Sequence, residues 1–226
     1  MRITYVHHSS FLVELNQIDL LFDYTEGVLP PRNQEKPLAV FVSHFHGDHF
    51  SPRIFDLEGE EVHYFLSKEI GVRKKWAALA PKIELVKPHQ TYSWNGLQVE
   101  TLRSTDAGVA FWIEAEEKCL YHAGDLNHWH WEGEPDAWNQ QMARDYQAEM
   151  NRLAGRHAQA AFVPVDPRLG DAYDWGLADF LKAVQADVVF PMHFWGDFTV
   201  CQKAAERFQG ITQVVKLTKE GETFEL

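Results

Sequence analysis

Short apolar segments separated by polar turns recur along the chain, and their lengths predict alternating strands and helices. Strands are predicted at residues 3–6, 11–15, 18–23, 38–42, 62–66, 83–86, 97–102, 109–113, 118–121, 160–163, 188–191, 214–217 and 223–226. Helices are predicted at residues 67–79, with Ser67 as the cap, and at 135–156, 177–184 and 200–208. A further short helix is predicted to begin at Ser51-Pro52, because serine suits the N-cap and proline the first helical position.

The alternation of strands and helices in the middle and late parts of the chain indicates an α/β layer fold. The chain has 226 residues, of which 45% are hydrophobic, so it can bury a substantial core. The sequence contains no internal repeat and no linker that divides it into domains. Residues 26–37 are rich in Pro, Glu and Gly and are predicted to form a loop within the domain. We therefore expect one domain over residues 1–226.

The charge and cysteine content narrow the classes of partner. The formal net charge is −12, which disfavours the steering of a long nucleic acid. Cys119 and Cys201 form no C-x-x-C pair, which is typical of a protein of the reducing cytoplasm. The N-terminal residues lack the apolar core of a signal peptide, and no run reaches the roughly 20 apolar residues that a membrane span needs. We expect a small-molecule substrate and no membrane partner, and the oligomeric state is left open.

Candidate metal ligands are concentrated directly after the apolar segment 38–42 (Leu-Ala-Val-Phe-Val), which is typical of a buried strand. His44, His46, Asp48 and His49 follow it within a few residues. Imidazole and carboxylate donors that converge on one point suit a transition metal. His44 and His46 are two residues apart, so an extended backbone points both rings the same way. Asp48 and His49 are adjacent and point differently, so they are expected to serve a second, neighbouring ion.

Two distant residues extend this cluster. Asp125 follows the strand at 118–121 and Gly124, and His193 follows the strand at 188–191. A single histidine at a strand end is usually structural. Together with the loop, however, these residues supply a bridging carboxylate and a further imidazole, which a dinuclear site requires.

The motif His44-x-His46-x-Asp48-His49 resembles the signature of the metallo-β-lactamase superfamily. Phe22-Asp23, Gly124-Asp125 and His193 occur in the order typical of that family. The opening His8-Ser9-Ser10-Phe11 looks most like the branch that contains ascorbate-6-phosphate lactonase.

The resemblance implies a four-layer αβ/βα sandwich with the metal site at one edge of its two sheets. It implies His44 and His46 on the first metal. It implies Asp48, His49 and His193 on the second metal, with Asp125 between the two ions.

The sequence departs from the family at the third histidine of the first metal, because residues 103–108 (Arg-Ser-Thr-Asp-Ala-Gly) contain none. Asp106 is one candidate replacement ligand, and it would make the site richer in oxygen. His8 or His122 is a second candidate. The third alternative is that only the second site binds tightly. One or two divalent ions are therefore expected per chain, with zinc preferred and manganese or iron suited to an oxygen-rich site.

Two further residues are candidates for substrate binding. Trp129 lies in the run His128-Trp129-His130-Trp131, which forms either a lid that excludes water or packing over the domain edge. Arg168 lies in a loop after the strand at 160–163 and pairs either with an anionic substrate group or with a surface carboxylate.

These residues favour a metal-dependent hydrolase that acts on a small ester, lactone or phosphodiester through a metal-bound hydroxide. A divalent ion lowers the pKa of its water from about 16 to about 7, so no serine or cysteine nucleophile is needed. Asp48 is the expected catalytic residue, which orients the hydroxide and passes a proton to the leaving group.

Two alternatives belong to other classes. The missing third histidine favours a non-catalytic metal-binding module, whereas the presence of Asp48 argues against it. A diiron oxidoreductase is the other alternative. His46 argues against that one, because related diiron proteins usually carry a carboxylate at this position.

Overall fold

Fourteen strands form two seven-stranded sheets in the computed structural model, which describes residues 1–71 and 74–226. The first sheet has the order β14-β1-β2-β3-β4-β5-β6. Its strands are β1 (Arg2–His7), β2 (Ser10–Glu14), β3 (Asp19–Phe22), β4 (Leu38–Val42), β5 (Val62–Ser67), β6 (Ile83–Val86) and β14 (Thr223–Glu225). Strands β3 to β6 run parallel, because apolar residues on both faces allow them to be covered on both sides.

The second sheet has the order β13-β12-β11-β10-β9-β8-β7. Its strands are β7 (Thr91–Trp94), β8 (Leu97–Arg103), β9 (Val109–Ala115), β10 (Lys118–His122), β11 (His157–Pro164), β12 (Gln185–Met192) and β13 (Gln213–Val214). Strands β7 to β10 form an antiparallel meander, and β10 to β13 are parallel.

Aromatic side chains fill the space between the sheets. Phe22 stacks on Phe41 with ring centroids 5.0 Å apart, and Phe41 stacks on Phe65 at the same distance. Phe11 from the first sheet meets Phe162 from the second at 4.5 Å. All five are fully buried. Burial of each such side chain contributes about 1.5–3 kcal/mol, so this layer fixes how the two sheets pack together.

Helices cover the outer faces of both sheets. Helices α1 (Asp136–Leu153), α2 (Trp175–Ala183) and α3 (Thr199–Arg207) pack on the second sheet, where they bury Tyr146 and Phe180. The first sheet is covered by the 3₁₀ helices Pro52–Asp56 and Lys74–Lys82. The layer order is that of the expected four-layer sandwich, so the predicted fold class is confirmed. Among the described residues, no helix is long and apolar enough to cross a membrane.

Most predicted elements have their counterparts in the structure, including the short helix after Ser51, whose side chain accepts a hydrogen bond from the amide of Arg53. The prediction that Ser67 caps a helix is wrong, because Ser67 is the last residue of β5. Residues 72 and 73 of that predicted helix lie outside the described residues. Strand β7 was not predicted, since its alternation of half-buried and exposed residues carries little hydrophobic signal.

Candidate metal centre

Apart from His122, the candidate ligands all follow the carboxyl ends of strands at one edge of the sandwich. His8 follows β1, His44 to His49 follow β4, Asp106 follows β8, Asp125 follows β10 and His193 follows β12. Strands β1, β3 and β4 share one direction, and so do β8, β10, β11 and β12. Loops from both sheets therefore meet over a common edge, and this topology explains why residues far apart in sequence converge.

The first group of candidate ligands consists of His44, His46, Asp106 and Asp125, whose donor atoms all lie within 4.8 Å of one another. His44 Nε2 lies 3.0 Å from His46 Nδ1 and 3.4 Å from Asp125 Oδ2. His46 Nδ1 lies 3.4 Å from Asp106 Oδ2. The structure thus brings Asp106, one of the predicted replacement ligands, into the same group as His44 and His46.

The second group consists of His8, Asp48, His49 and His193, again with donor atoms within 4.8 Å. Asp48 Oδ2 lies 3.5 Å from His8 Nε2 and 3.8 Å from the Nε2 atoms of both His49 and His193. The three histidines are buried and Asp48 is half-buried. His8 therefore joins the second group and not the first.

Asp125 faces both groups. Its Oδ2 is directed to His44, while its Oδ1 lies 3.1 Å from His49 Nε2 and 3.4 Å from His193 Nε2. A carboxylate that presents one oxygen to each group has the geometry of a bridge between two ions.

Asp23, directly after β3, holds the loop of residues 43–49 in place by hydrogen bonds to Ser43 and His49. Its Oδ1 accepts a hydrogen bond from the Ser43 amide, and its Oδ2 accepts one from the Ser43 hydroxyl, both at 2.7 Å. The same Oδ2 accepts a hydrogen bond from His49 Nδ1 at 2.7 Å. This bond leaves His49 Nε2 directed at the centre, which is the usual role of a carboxylate behind a metal-binding histidine.

Asp166, two residues after the end of β11, orients His193 in the same way. Its Oδ2 accepts a hydrogen bond from His193 Nδ1 at 3.0 Å, so the Nε2 of that ring points to the centre. Arg168 donates to Asp166 from Nε at 2.9 and 3.0 Å and from Nη2 at 2.5 Å. Burial opposes the ionisation of Asp166, but the hydrogen bonds from His193 and Arg168 and the charge of His193 lower its pKa to about 2.

The ionisation of the cluster reflects burial and mutual charge. Burial and the neighbouring His49 lower the pKa of His44 to about 4, so its ring is neutral and free to coordinate. Burial alone would lower the pKa of His49, but Asp125 and Asp23 raise it well above the usual value. Burial opposes ionisation of Asp125, yet the charges of His49 and His193 hold its pKa well below the usual range.

Unsatisfied buried atoms show that the donor set fits a metal. Within the described residues, His8 Nε2, His49 Nε2 and Asp125 Oδ1 are buried and make no hydrogen bond of acceptable geometry. Unpaired buried polar atoms cost about 1–3 kcal/mol each. His8 and His49 belong to the second group, and Asp125 Oδ1 lies 3.1 Å from His49 Nε2. A divalent ion among imidazole nitrogens and carboxylate oxygens would satisfy them together.

Close backbone contacts hold the loops in place. Gly108 has a φ of 71°, and a Cβ atom there would lie 2.0 Å from the Ser43 carbonyl oxygen. His8, Asp23 and His193 also have positive φ values, of 48°, 41° and 61°. Such conformations cost about 1–3 kcal/mol each in non-glycine residues and cluster at functional sites.

His122, the other candidate replacement ligand, lies outside both groups. Its Nε2 donates to the Ser9 carbonyl at 2.9 Å, and its Nδ1 accepts from the Gly124 amide at 3.2 Å. Its ring stacks on Phe22 at 4.8 Å. Because both ring nitrogens have partners, the position fits a structural histidine.

The two candidate substrate-binding residues border a cavity of about 270 Å³ at the centre. Trp129 is buried and donates from Nε1 to the Asp125 carbonyl at 3.1 Å. Arg168 pairs with Asp166 and also lines the cavity. A second cavity, of about 570 Å³, adjoins the centre on the side of His8, and Asp48 and Trp195 line both.

Asp166 and Trp195 were not singled out from sequence, although both contribute to the centre. Asp166 lies between a predicted strand and Arg168, so an acidic residue at a strand end was an available signal. Trp195, with a φ of 53°, places its ring 4.7 Å from that of His8. Two residues after His193, it is an exposed aromatic side chain with no sequence pattern of its own.

Two facing sheets with paired groups of histidine and aspartate at one edge define a protein of the metallo-β-lactamase type. The family model described as "Beta-lactamase superfamily domain" matches residues 2–137. The chain belongs to this superfamily. The resemblance to the lactonase branch stays a prediction.

Several relatives match most of the chain. A UPF0173 metal-dependent hydrolase of Opitutus terrae is 29% identical over 219 residues, covering 86% of this chain and 85% of that protein. Igni18, a metallo hydrolase from Ignicoccus hospitalis, is 19% identical with a TM-score of 0.67, covering 100% of this chain and 98% of that one. CmlA, a diiron β-hydroxylase from Streptomyces venezuelae, is 12% identical with a TM-score of 0.62, covering 100% of this chain and 54% of that one.

Proposed function

We propose that the protein is a hydrolase of small molecules that depends on two divalent ions. The observation that carries this proposal is Asp125, which presents one carboxylate oxygen to each of two groups of candidate ligands. His44, His46 and Asp106 would hold the first ion with Asp125. His8, Asp48, His49 and His193 would hold the second.

The donor chemistry supports zinc, with manganese or iron as metals that the first group also suits. The second group supplies imidazole nitrogens from His8, His49 and His193, which favour zinc. The first group pairs two imidazoles with the carboxylates of Asp106 and Asp125, and carboxylates suit manganese.

Divalent ions in such a site supply Lewis acidity and acidify water. Asp48 then has the position of the proton carrier, because it is half-buried and lines both cavities that a substrate can enter. Burial opposes its ionisation, but the neighbouring imidazoles of His8 and His49 keep the pKa of Asp48 below the ordinary value. Asp48 is therefore ionised at neutral pH, which a group must be if it is to accept a proton and pass it to a leaving group.

The experiment is hydrolysis of a panel of lactones, carboxylic esters and phosphodiesters by the protein loaded with zinc or manganese. We expect turnover that a chelator removes and the ion restores. Asp48→Asn should lower kcat by at least about 100-fold, since general acid–base groups contribute 10²–10⁴-fold. Asp187→Ala is the matched control, because Asp187 lies near the amino end of β12, whereas the candidate ligand His193 follows the carboxyl end of that strand.

Two outcomes would overturn the proposal. Retained turnover in Asp48→Asn would remove its catalytic role. Absence of turnover on all three substrate classes, with two ions bound, would favour a non-catalytic metal-binding module. An oxidoreductase is disfavoured by His46, whose imidazole stands in the first group where diiron relatives usually carry a carboxylate.

A further inference from the structure

The cavity of about 270 Å³ at the centre combines a polar floor with apolar walls. Candidate ligands of both groups form its floor. The walls are apolar side chains from three separate segments: Trp129, Trp131, Trp138, Met142 and Trp195. Any group held by these walls lies directly beside the reacting centre.

Two of the tryptophans in the walls, Trp129 and Trp131, are held in fixed positions. Trp129 is buried and bonded through Nε1 to the Asp125 carbonyl. Trp131 lies parallel to it, with ring centroids 6.2 Å apart and an angle of 11°. Asn139 clamps the backbone of Trp131 by accepting from its amide and donating to its carbonyl, both at 2.9 Å. Flat walls that are already ordered favour a flat ligand, because little entropy is lost on binding.

The cation in this cavity is already neutralised. Arg168 is bonded to Asp166, and its guanidinium carbon lies 4.4 Å from the ring centre of Trp195 and 5.4 Å from that of Trp131. The neighbouring cavity of about 570 Å³ differs, because His7, Glu26 and Glu220 line it. The tryptophan-walled cavity is thus suited to an uncharged flat group and the larger cavity to a polar one.

We propose that the substrate carries a single aromatic ring beside its reacting group, and that Trp131 and Trp138 determine this specificity. The volume of about 270 Å³ is below the 300–1,000 Å³ typical of drug-sized pockets, so it fits one ring and not a long chain. The ring lies against the tryptophans while the reacting group reaches the candidate ligands. This inference rests on the proposed hydrolase function.

Hydroxamates test the inference without turnover, because they chelate metal ions through the same group whatever their side chain. The affinities of benzohydroxamate, cyclohexanecarbohydroxamate and acetohydroxamate for the zinc-loaded protein are measured by calorimetry. Benzohydroxamate should bind about 10- to 100-fold more tightly than acetohydroxamate, from burial and stacking of its ring. It should also bind about 3- to 10-fold more tightly than the cyclohexane compound, which is of similar size but not flat.

Substitution of Trp131 and Trp138 tests whether these residues cause the preference for benzohydroxamate. Trp131→Leu and Trp138→Leu should each weaken benzohydroxamate by about 3- to 10-fold and leave acetohydroxamate unchanged. Trp94→Leu is the control, because Trp94 lies on β7 and stacks on His63, away from the cavity.

The possible results separate the inference from the proposed function. Equal affinity for the three hydroxamates would overturn the aromatic pocket but leave the metal centre standing. Weakening of all three ligands by the Trp131 and Trp138 variants would assign those residues to general folding and overturn their role in specificity. No binding of benzohydroxamate at all would overturn both the pocket and the centre.

Discussion

Replacement of Asp106 by alanine tests whether this carboxylate serves as the missing third ligand of the first group. Asp106 Oδ2 lies 3.4 Å from His46 Nδ1, and its side chain is 46% exposed. Truncation of an exposed side chain costs about 0.5 kcal/mol or less in folding stability. The effect is therefore expected in metal binding and not in the fold.

The size of the effect follows from the number of donors. The first group has four donors within 4.8 Å, and Asp106→Ala removes one of them. Loss of a residue that merely supports a metal ligand weakens binding about 10- to 100-fold. Loss of a ligand itself should weaken the first ion by at least about 100-fold, or about 2.8 kcal/mol.

The assay is stepwise competition with a chelator of known zinc affinity. The wild type should release two ions in two steps. Asp106→Ala should either lack the ion of the first group or release it at a much lower chelator concentration. Asp106→His should retain both ions and favour zinc over manganese, because it replaces a hard oxygen with an imidazole. Two ions of unchanged affinity in Asp106→Ala, as in the Asp187→Ala control, would refute the assignment.

Three further predictions concern the histidines His8 and His122, the carboxylate of Asp166 and the backbone at Gly108. His8→Ala should weaken the second ion by at least about 100-fold, because it removes a proposed ligand. His122→Phe should keep both ions in the chelator assay and lower the free energy of unfolding by about 1–3 kcal/mol, and loss of an ion in this variant would reverse the two roles. Asp166→Asn should weaken the ion at His193 by about 10- to 100-fold, and unchanged affinity would show that the hydrogen bond to His193 does not matter. Gly108→Ala should lower the free energy of unfolding in urea by at least about 2 kcal/mol, because its Cβ would lie 2.0 Å from the Ser43 carbonyl oxygen. Gly47→Ala is the control, because no atom lies within 4 Å of a Cβ at that position. An equally small loss of stability in both variants would contradict this prediction.

The sequence predicted the parts of the centre that depend on local spacing. His44, His46, Asp48 and His49 occupy one loop after a buried strand, so their convergence follows from the chain itself. Asp125 was recognised because a strand and a glycine precede it.

The placement of His8, Asp106 and Asp166 could not be predicted in the same way. Which group a residue joins depends on how the two sheets face each other, and the packing of Phe11 on Phe162 between the sheets sets that relation. Asp166 supports His193 because β11 and β12 are parallel, with Pro164 opposite Met192, so that the loops after both strands are neighbours. Sequence spacing carries none of this information.

If two divalent ions share Asp125, the metal content per chain should show it most directly. Elemental analysis would be made of wild-type protein purified without added metal or chelator. We predict two ions per chain, falling to one or none in Asp125→Ala. The absence of metal in the wild type, with no uptake after zinc or manganese is added, would contradict the account.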